Sequence, residues 1–136
     1  MASGEWGEAM SDAIKSYRDL TVWQDAIALA TSLYTLTTGF PKEEPYGMTA
    51  QMRRAGISIP ANIAEGHGRE QPRSFIQFLR IARGSLKEVE THLCLAEKVG
   101  LVGGAQVATH LEQCESLGKR IRALIRSLQD KFERSE

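Results

Sequence analysis

Seven apolar residues, Phe75, Leu79, Ala82, Leu86, Val89, Leu93 and Ala96, recur at alternating steps of four and three. A strand alternates its faces with period two, so this spacing is useless to it; on a helix the same residues fall into one stripe along a single face. A stripe kept up for about three heptads specifies a long helix that must lay that face against other helices. Gln71-Pro72 stands where such a helix begins and Gly100 where it ends, in keeping with the preference of proline for the first helical turn and of glycine for the position just past the last.

Three further segments have the same character. The last one carries Val107, Leu111, Cys114, Gly118, Ile121, Ile125, Leu128 and Phe132, with Gly118 marking a close approach by a neighbouring helix. The second, from about Pro45 to Glu65, has its seam at Met48, Met52, Ala55, Ile59 and Ile63, and Gly66-His67-Gly68 is expected to stop it. Pro60 lies inside it, removes one donor and crowds the carbonyl of Gly56, so a kink is expected there. The first segment shows two seams: Leu20, Trp23, Ile27, Ala30 and Tyr34, and beside it Val22, Leu29, Leu33, Leu36 and Phe40. One bundle covers about one seam per helix, so the second implies a partner subunit. No segment alternates like a strand. Four helices joined by loops of a few residues predict an all-α, antiparallel up-down four-helix bundle that assembles as a homo-oligomer.

The chain of 136 residues fits one domain, and 42% apolar residues supply its core. Residues 1–16 read as a loose leader and 17–136 as the bundle domain. The acidic start lacks the apolar run of a secretory signal, and no stretch approaches the roughly 20 apolar residues of a membrane span. Two cysteines are too few for a disulfide framework, so a reducing cytoplasm is expected. Seventeen basic against seventeen acidic residues leave no net charge. The molecule as a whole is therefore no electrostatic binder, and any polyanion site must be local.

The charge is indeed unevenly placed. Between Thr49 and Lys87 the basic residues are Arg53, Arg54, Arg69, Arg73, Arg80, Arg83 and Lys87, against only Glu65 and Glu70. At about 100° per residue, Arg73, Arg80, Arg83 and Lys87 share an arc of roughly 80° on the third helix, off its seam. Lys119, Arg122 and Arg126 follow at steps of three and four on the fourth. Guanidinium forks match phosphate oxygens, so Arg53, Arg69, Arg73, Arg80, Arg83, Lys87, Arg122 and Arg126 are the candidate nucleic-acid contacts. The competing reading is ordinary helix-surface charge.

A second stripe is polar. Gln51, Arg54, Ser58, Asn62 and Glu65 fall within roughly 80° on the second helix, beside the proline. They are candidates for a subunit interface or a ligand face, and Asn62 or a group on an adjacent helix is expected to serve the Gly56 carbonyl. Metal and catalytic readings are thinner. His110, Cys114 and Cys94 would give at most three ligands, and His67 lacks a nucleophile or carboxylate partner in sequence. No metal, cofactor or catalytic residue is expected.

Several blocks are similar to a known family. Asp19-Leu-Thr-Val-Trp-Gln24, Gly39-Phe-Pro-Lys-Glu43, Tyr46-Gly-Met-Thr-Ala-Gln-Met-Arg-Arg-Ala55, Ser58-Ile-Pro-Ala-Asn-Ile-Ala-Glu-Gly66 and Arg80-Ile-Ala-Arg-Gly-Ser-Leu-Lys-Glu88 resemble the four-helix-bundle family associated with 23S rRNA intervening sequences. The resemblance runs from about Tyr17 to Val102, and the block from Ser58 to Gly66 is its specific part. It implies a four-helix bundle, commonly a homopentameric barrel, without an established enzymatic activity. A related branch, the accessory proteins of diversity-generating retroelements, binds nucleic acid beside a reverse transcriptase; this chain lacks that branch's strong net positive charge.

The expectation is thus a non-enzymatic homo-oligomer, pentameric by the resemblance, whose Arg-lined faces bind structured RNA or DNA. The alternative is an oligomeric protein–protein scaffold with no nucleic-acid role. An enzyme would have to assemble His67, Glu65 and Arg69 from neighbouring loops.

Overall fold

The computed structural model describes residues 16–135. The expected leader lies outside the described residues but for Ser16, as does the side chain of Phe132. Ser16 caps a short 3-10 turn, Tyr17–Asp19: its Oγ accepts from the Arg18 amide, and Asp19 accepts in return from the Ser16 amide. Four helices follow: α1, Thr21–Thr38; α2, Met48–Gly68; α3, Pro72–Lys98; and α4, Gly104–Ser135. Among the described residues there is no strand.

The α3 stripe packs as its spacing requires. All seven seam residues are at most 1% exposed, and Pro72 occupies the start of the helix. Burying a side chain the size of leucine stabilises by about 1.5 to 3 kcal/mol, so this row alone anchors the core. Met52, Ile59 and Ile63 of α2, Leu29 and Leu33 of α1, and Leu117, Ile121 and Leu128 of α4 meet it in one continuous cluster. Each helix packs on its neighbour in the chain, and α1 closes the arrangement against α4 more lightly. Asp25 of α1 accepts from the guanidinium of Arg120 of α4 across that last seam.

The ends of α2 depart from expectation. It starts at Met48, not near Pro45, because Gly47 takes a left-handed φ of 66° and Glu44 supplies the cap: its carboxylate accepts from the amides of Tyr46 (3.0 Å) and Met48 (2.6 Å). It also runs on through Gly66 to Gly68. Gly66 is buried, and a Cβ there would stand 2.6 Å from Phe78 Cβ and 3.1 Å from Phe75 Cδ1. This glycine lets α2 and α3 approach; it does not end the helix. Pro60 is buried within α2.

The two seams of α1 part company. Val22, Leu29, Leu33 and Phe40 are buried, whereas on the other seam Ile27 and Tyr34 are exposed.

Candidate nucleic-acid interface

One member of each basic row, Lys87 of α3 and Arg122 of α4, lines a groove between the two helices. Gly118 makes this possible, since a Cβ there would lie 3.4 Å from Leu86 Cδ2 of α3. The groove, of about 280 Å³, has Cys114 and Gly118 at its floor and Lys87 and Arg122 on its walls, with Glu90 and Glu115 beside them. Burial, with a smaller contribution from Glu90, pushes the Cys114 thiol up to about 12 against the opposing pull of Lys87. That thiol is therefore a packing group and no nucleophile.

Charge is balanced at one part of the groove and unbalanced further along. Lys87 Nζ pairs with Glu90 at 3.1 Å and Lys119 Nζ with Glu115 at 3.4 Å. Arg80 and Arg83 stand seven and four residues before Lys87, on the same side of α3, and Arg126 lies one turn beyond Arg122 on α4. Among the described residues no ion pair engages Arg80, Arg83, Arg122 or Arg126. Arg83 and Arg122 are half-buried, with stems lying along the helices, while Arg80 and Arg126 are exposed. Arg73 extends the α3 row toward its start and is exposed as well.

Two arginines from the sequence reading sit elsewhere and are engaged. Arg53 turns to α1: its guanidinium lies over the Tyr34 ring, and Nε donates to Thr37 Oγ1 at 2.8 Å. Arg69 donates to Glu65 at 2.9 Å and covers the Phe78 ring at 5.0 Å. Neither shares the α3–α4 groove. His67 packs edge-on against Phe75, and burial holds its imidazole below the ordinary range despite the opposing influence of Glu70.

The polar stripe divides between the α2–α3 contact and the surface. Ser58 and Ser85 join hydroxyls at 2.9 Å across the α2–α3 contact, and Asn62 Nδ2 donates to the Ser58 carbonyl (2.8 Å) and hydroxyl (3.0 Å). The expectation that Asn62 serves the Gly56 carbonyl is corrected: four residues of helical rise bring its amide to Ser58 instead. Gln51, Arg54 and Glu65 are exposed, and Gln51 donates to the Tyr46 carbonyl at 2.7 Å.

The spacing-based ligand set does not converge. Cys94 is exposed and Cys114 buried, while His110 faces the α1–α4 groove with Nδ1 2.7 Å from the Gln106 carbonyl. Among the described residues no three His, Cys, Asp or Glu side chains come together as a metal site. Among the described residues no helix is long and apolar enough to cross a membrane.

The second seam of α1, with Ile27 and Tyr34, continues onto α2 and α3 as an apolar face that the sequence reading did not extend to Ile57 and Ile81. Ile57 is 58% exposed, and Tyr34, Ile27 and Ile81 are exposed on the flanking helices. Ala50 and Ala61 share the outer arc of α2 with Ile57, opposite its seam. At the far end Tyr46, Leu95 and Val99 line a second apolar hollow of about 440 Å³. The steps of seven and four linking Ala50, Ile57 and Ala61 were the available signal, masked because attention to the seam treats the opposite side as solvent.

Residues 18–123 match the model of a family described as 23S rRNA-intervening sequence protein. A crystal structure from Bacteroides thetaiotaomicron VPI-5482, described as a protein with unknown function from the S23 ribosomal protein family, is similar with a TM-score of 0.69 and 23% identity, covering 77% of this chain and 98% of its own. That likeness shows the fold. No curated protein matches the chain.

Proposed function

We propose that this chain, which belongs to the 23S rRNA-intervening sequence protein family, is a non-enzymatic, cytoplasmic, oligomeric nucleic-acid-binding protein. The observation that carries the reading is a groove walled by Lys87 of α3 and Arg122 of α4, with Arg80 and Arg83 continuing the Lys87 side of α3 and Arg126 one turn beyond Arg122 on α4; among the described residues none of these four arginines has an acidic partner. Like charges held together without counter-charge are costly to the free protein, and a polyanion relieves that cost. Phosphate oxygens suit these forks, and the neutral overall charge confines binding to this flank.

The fold behind this reading is an antiparallel up-down bundle with α2 bent at Pro60. The antiparallel order is supported by the contacts, in which Tyr34 and Thr37 meet Arg53, Ser58 meets Ser85, and Gly66 meets Phe75 and Phe78; the bend is what a proline inside a helix leads one to expect. Self-association runs through the apolar face centred on α2. Among the described side chains, the large exposed apolar ones lie on α1, α2, α3 and the adjoining loops. A homopentamer is the assembly in keeping with the family resemblance. The basic groove, on the α3–α4 side, would stay open in such an assembly.

Gel retardation of short RNAs and DNAs over a salt series, beside sedimentation of the protein, tests both parts. Retention that weakens with salt, and that is lost when Arg80, Arg83, Arg122 and Arg126 become Gln, is the expected result. Ile57→Glu is expected to release a folded monomer of 15.1 kDa. Oligomers that retain no nucleic acid even at low salt would leave the scaffold reading in its place.

A further inference from the structure

We infer that the groove takes the phosphate backbone of a double helix in preference to a single strand, a step that rests on the nucleic-acid reading above. Two observations select the duplex. The first is the absence of a stacking platform among the described side chains of α3 and α4. Phe75 is wholly buried, Phe78 is half-buried beneath Arg69, and the exposed aromatics Tyr34 and Tyr46 belong to α1 and the loop after it. A protein that binds single strands compensates their unstacked bases with aromatic rings. Here nothing described along the groove would do so, whereas a duplex keeps its bases stacked within itself and offers only phosphate.

The second observation is the layout of charge. With Leu86 against Gly118, the antiparallel packing proposed above would bring Arg83 within about one residue of the level of Arg122 and Arg80 within about two of that of Arg126, so cations would come from both helices. Arg80 and Arg83 stand about 4.5 Å apart along α3 and Arg122 and Arg126 about 6 Å apart along α4 at 1.5 Å per residue, a patch that meets the phosphates of a few neighbouring base pairs. A rigid double helix presents phosphates at a fixed rise and twice the axial charge density of one strand, so it gains more from counterion release and surrenders less freedom on docking. The recognised chemistry is duplex phosphate, whether from RNA or DNA.

Fluorescence anisotropy of the full chain with a labelled duplex of about 12 base pairs, just over one helical turn, tests this against each separated strand. RNA and DNA versions form separate arms. The expected result is duplex affinity at least about tenfold above that of either strand at equal salt, with a log–log salt slope near −3.6 for four phosphates. The variant R122Q/R126Q should lower the slope by about two while oligomer size and melting temperature hold. If that variant melts early, the exposed Arg80→Gln alone should lower the slope by about one.

Tighter binding of both duplexes supports the inference, and tighter binding of one kind supports it and names the source. Single strands bound as tightly as duplexes overturn it while leaving the nucleic-acid reading intact. Binding whose slope ignores both variants overturns the placement in this groove, and no binding of any probe at low salt overturns the reading beneath it.

Discussion

The Arg53 guanidinium lies 3.7 Å from the centre of the Tyr34 ring, and its Nη2 donates to the Tyr34 carbonyl at 3.3 Å. One side chain of α2 thus grips both faces of a residue on α1, its ring and its backbone, while Nε holds Thr37 one turn on. The guanidinium is engaged by neutral groups of α1, so its first role is expected to be in holding α2 to that helix.

Arg53→Ala is accordingly expected to lower unfolding free energy by about 1 to 2 kcal/mol, the range for a partly shielded cation–π contact with charged hydrogen bonds. Chemical denaturation measures it. The salt slope of nucleic-acid binding should not move, and a fall of about one in that slope would return Arg53 to the interface.

Gly56 and Gly66 should respond differently to alanine. At Gly56 the new methyl would come 2.9 Å from Leu33 Cδ1, the movable tip of a side chain. At Gly66 it would come 2.6 Å from Phe78 Cβ, which can shift only with the α3 backbone. Alanine gains about 1 kcal/mol in helix propensity over glycine at either position. Gly56→Ala should therefore stay within about 1 kcal/mol of the parent, while Gly66→Ala loses about 1 to 3 kcal/mol to overpacking. Thermal melts of the two variants side by side decide this.

Asn62→Ala should cost about 0.5 to 1.5 kcal/mol, because its amide bonds only within α2 and Ser58 keeps Ser85 as a partner. Anisotropy with duplex probes should show no change, since Asn62 faces the α2–α3 contact. Weakened retention at unchanged stability would instead make the stripe a binding face.

The two thiols should separate by reactivity and by pH. At pH 8 an alkylating reagent should label the exposed Cys94 in the native protein and reach Cys114 only on unfolding. The folded chain keeps the Cys114 proton that the unfolded chain gives up above about pH 8.5. Its contribution to stability is thus whole below that pH and declines as pH rises toward 12. Denaturation midpoints of the parent should fall across that range more steeply than those of Cys114→Ala.

Local period and punctuation made the helices legible. The α3 seam from Phe75 to Ala96 is written in its spacing, and Pro72 marks its start, because both act within one turn of the chain. The true start of α2 was hidden, since Glu44 caps it from four residues before Met48 and a carboxylate so placed reads as loop charge. Gly66 misled for a related reason. A glycine that ends a helix and one that admits a neighbour look alike until the neighbour, here Phe78, is in place.

The candidate site divides along the same line. The sequence by itself determined that Arg80, Arg83 and Lys87 share one face of a helix and Arg122 and Arg126 one face of another, since helical period is a property of the single segment. Only the tertiary structure decided that Leu86 lies on Gly118 and so brings Lys87 of the one face and Arg122 of the other to one groove, that Arg53 is held by Tyr34, and that Ile57 stands uncovered. Period fixes the direction a side chain leaves its own helix; what it meets there depends on residues distant in the chain, and packing alone assigns them.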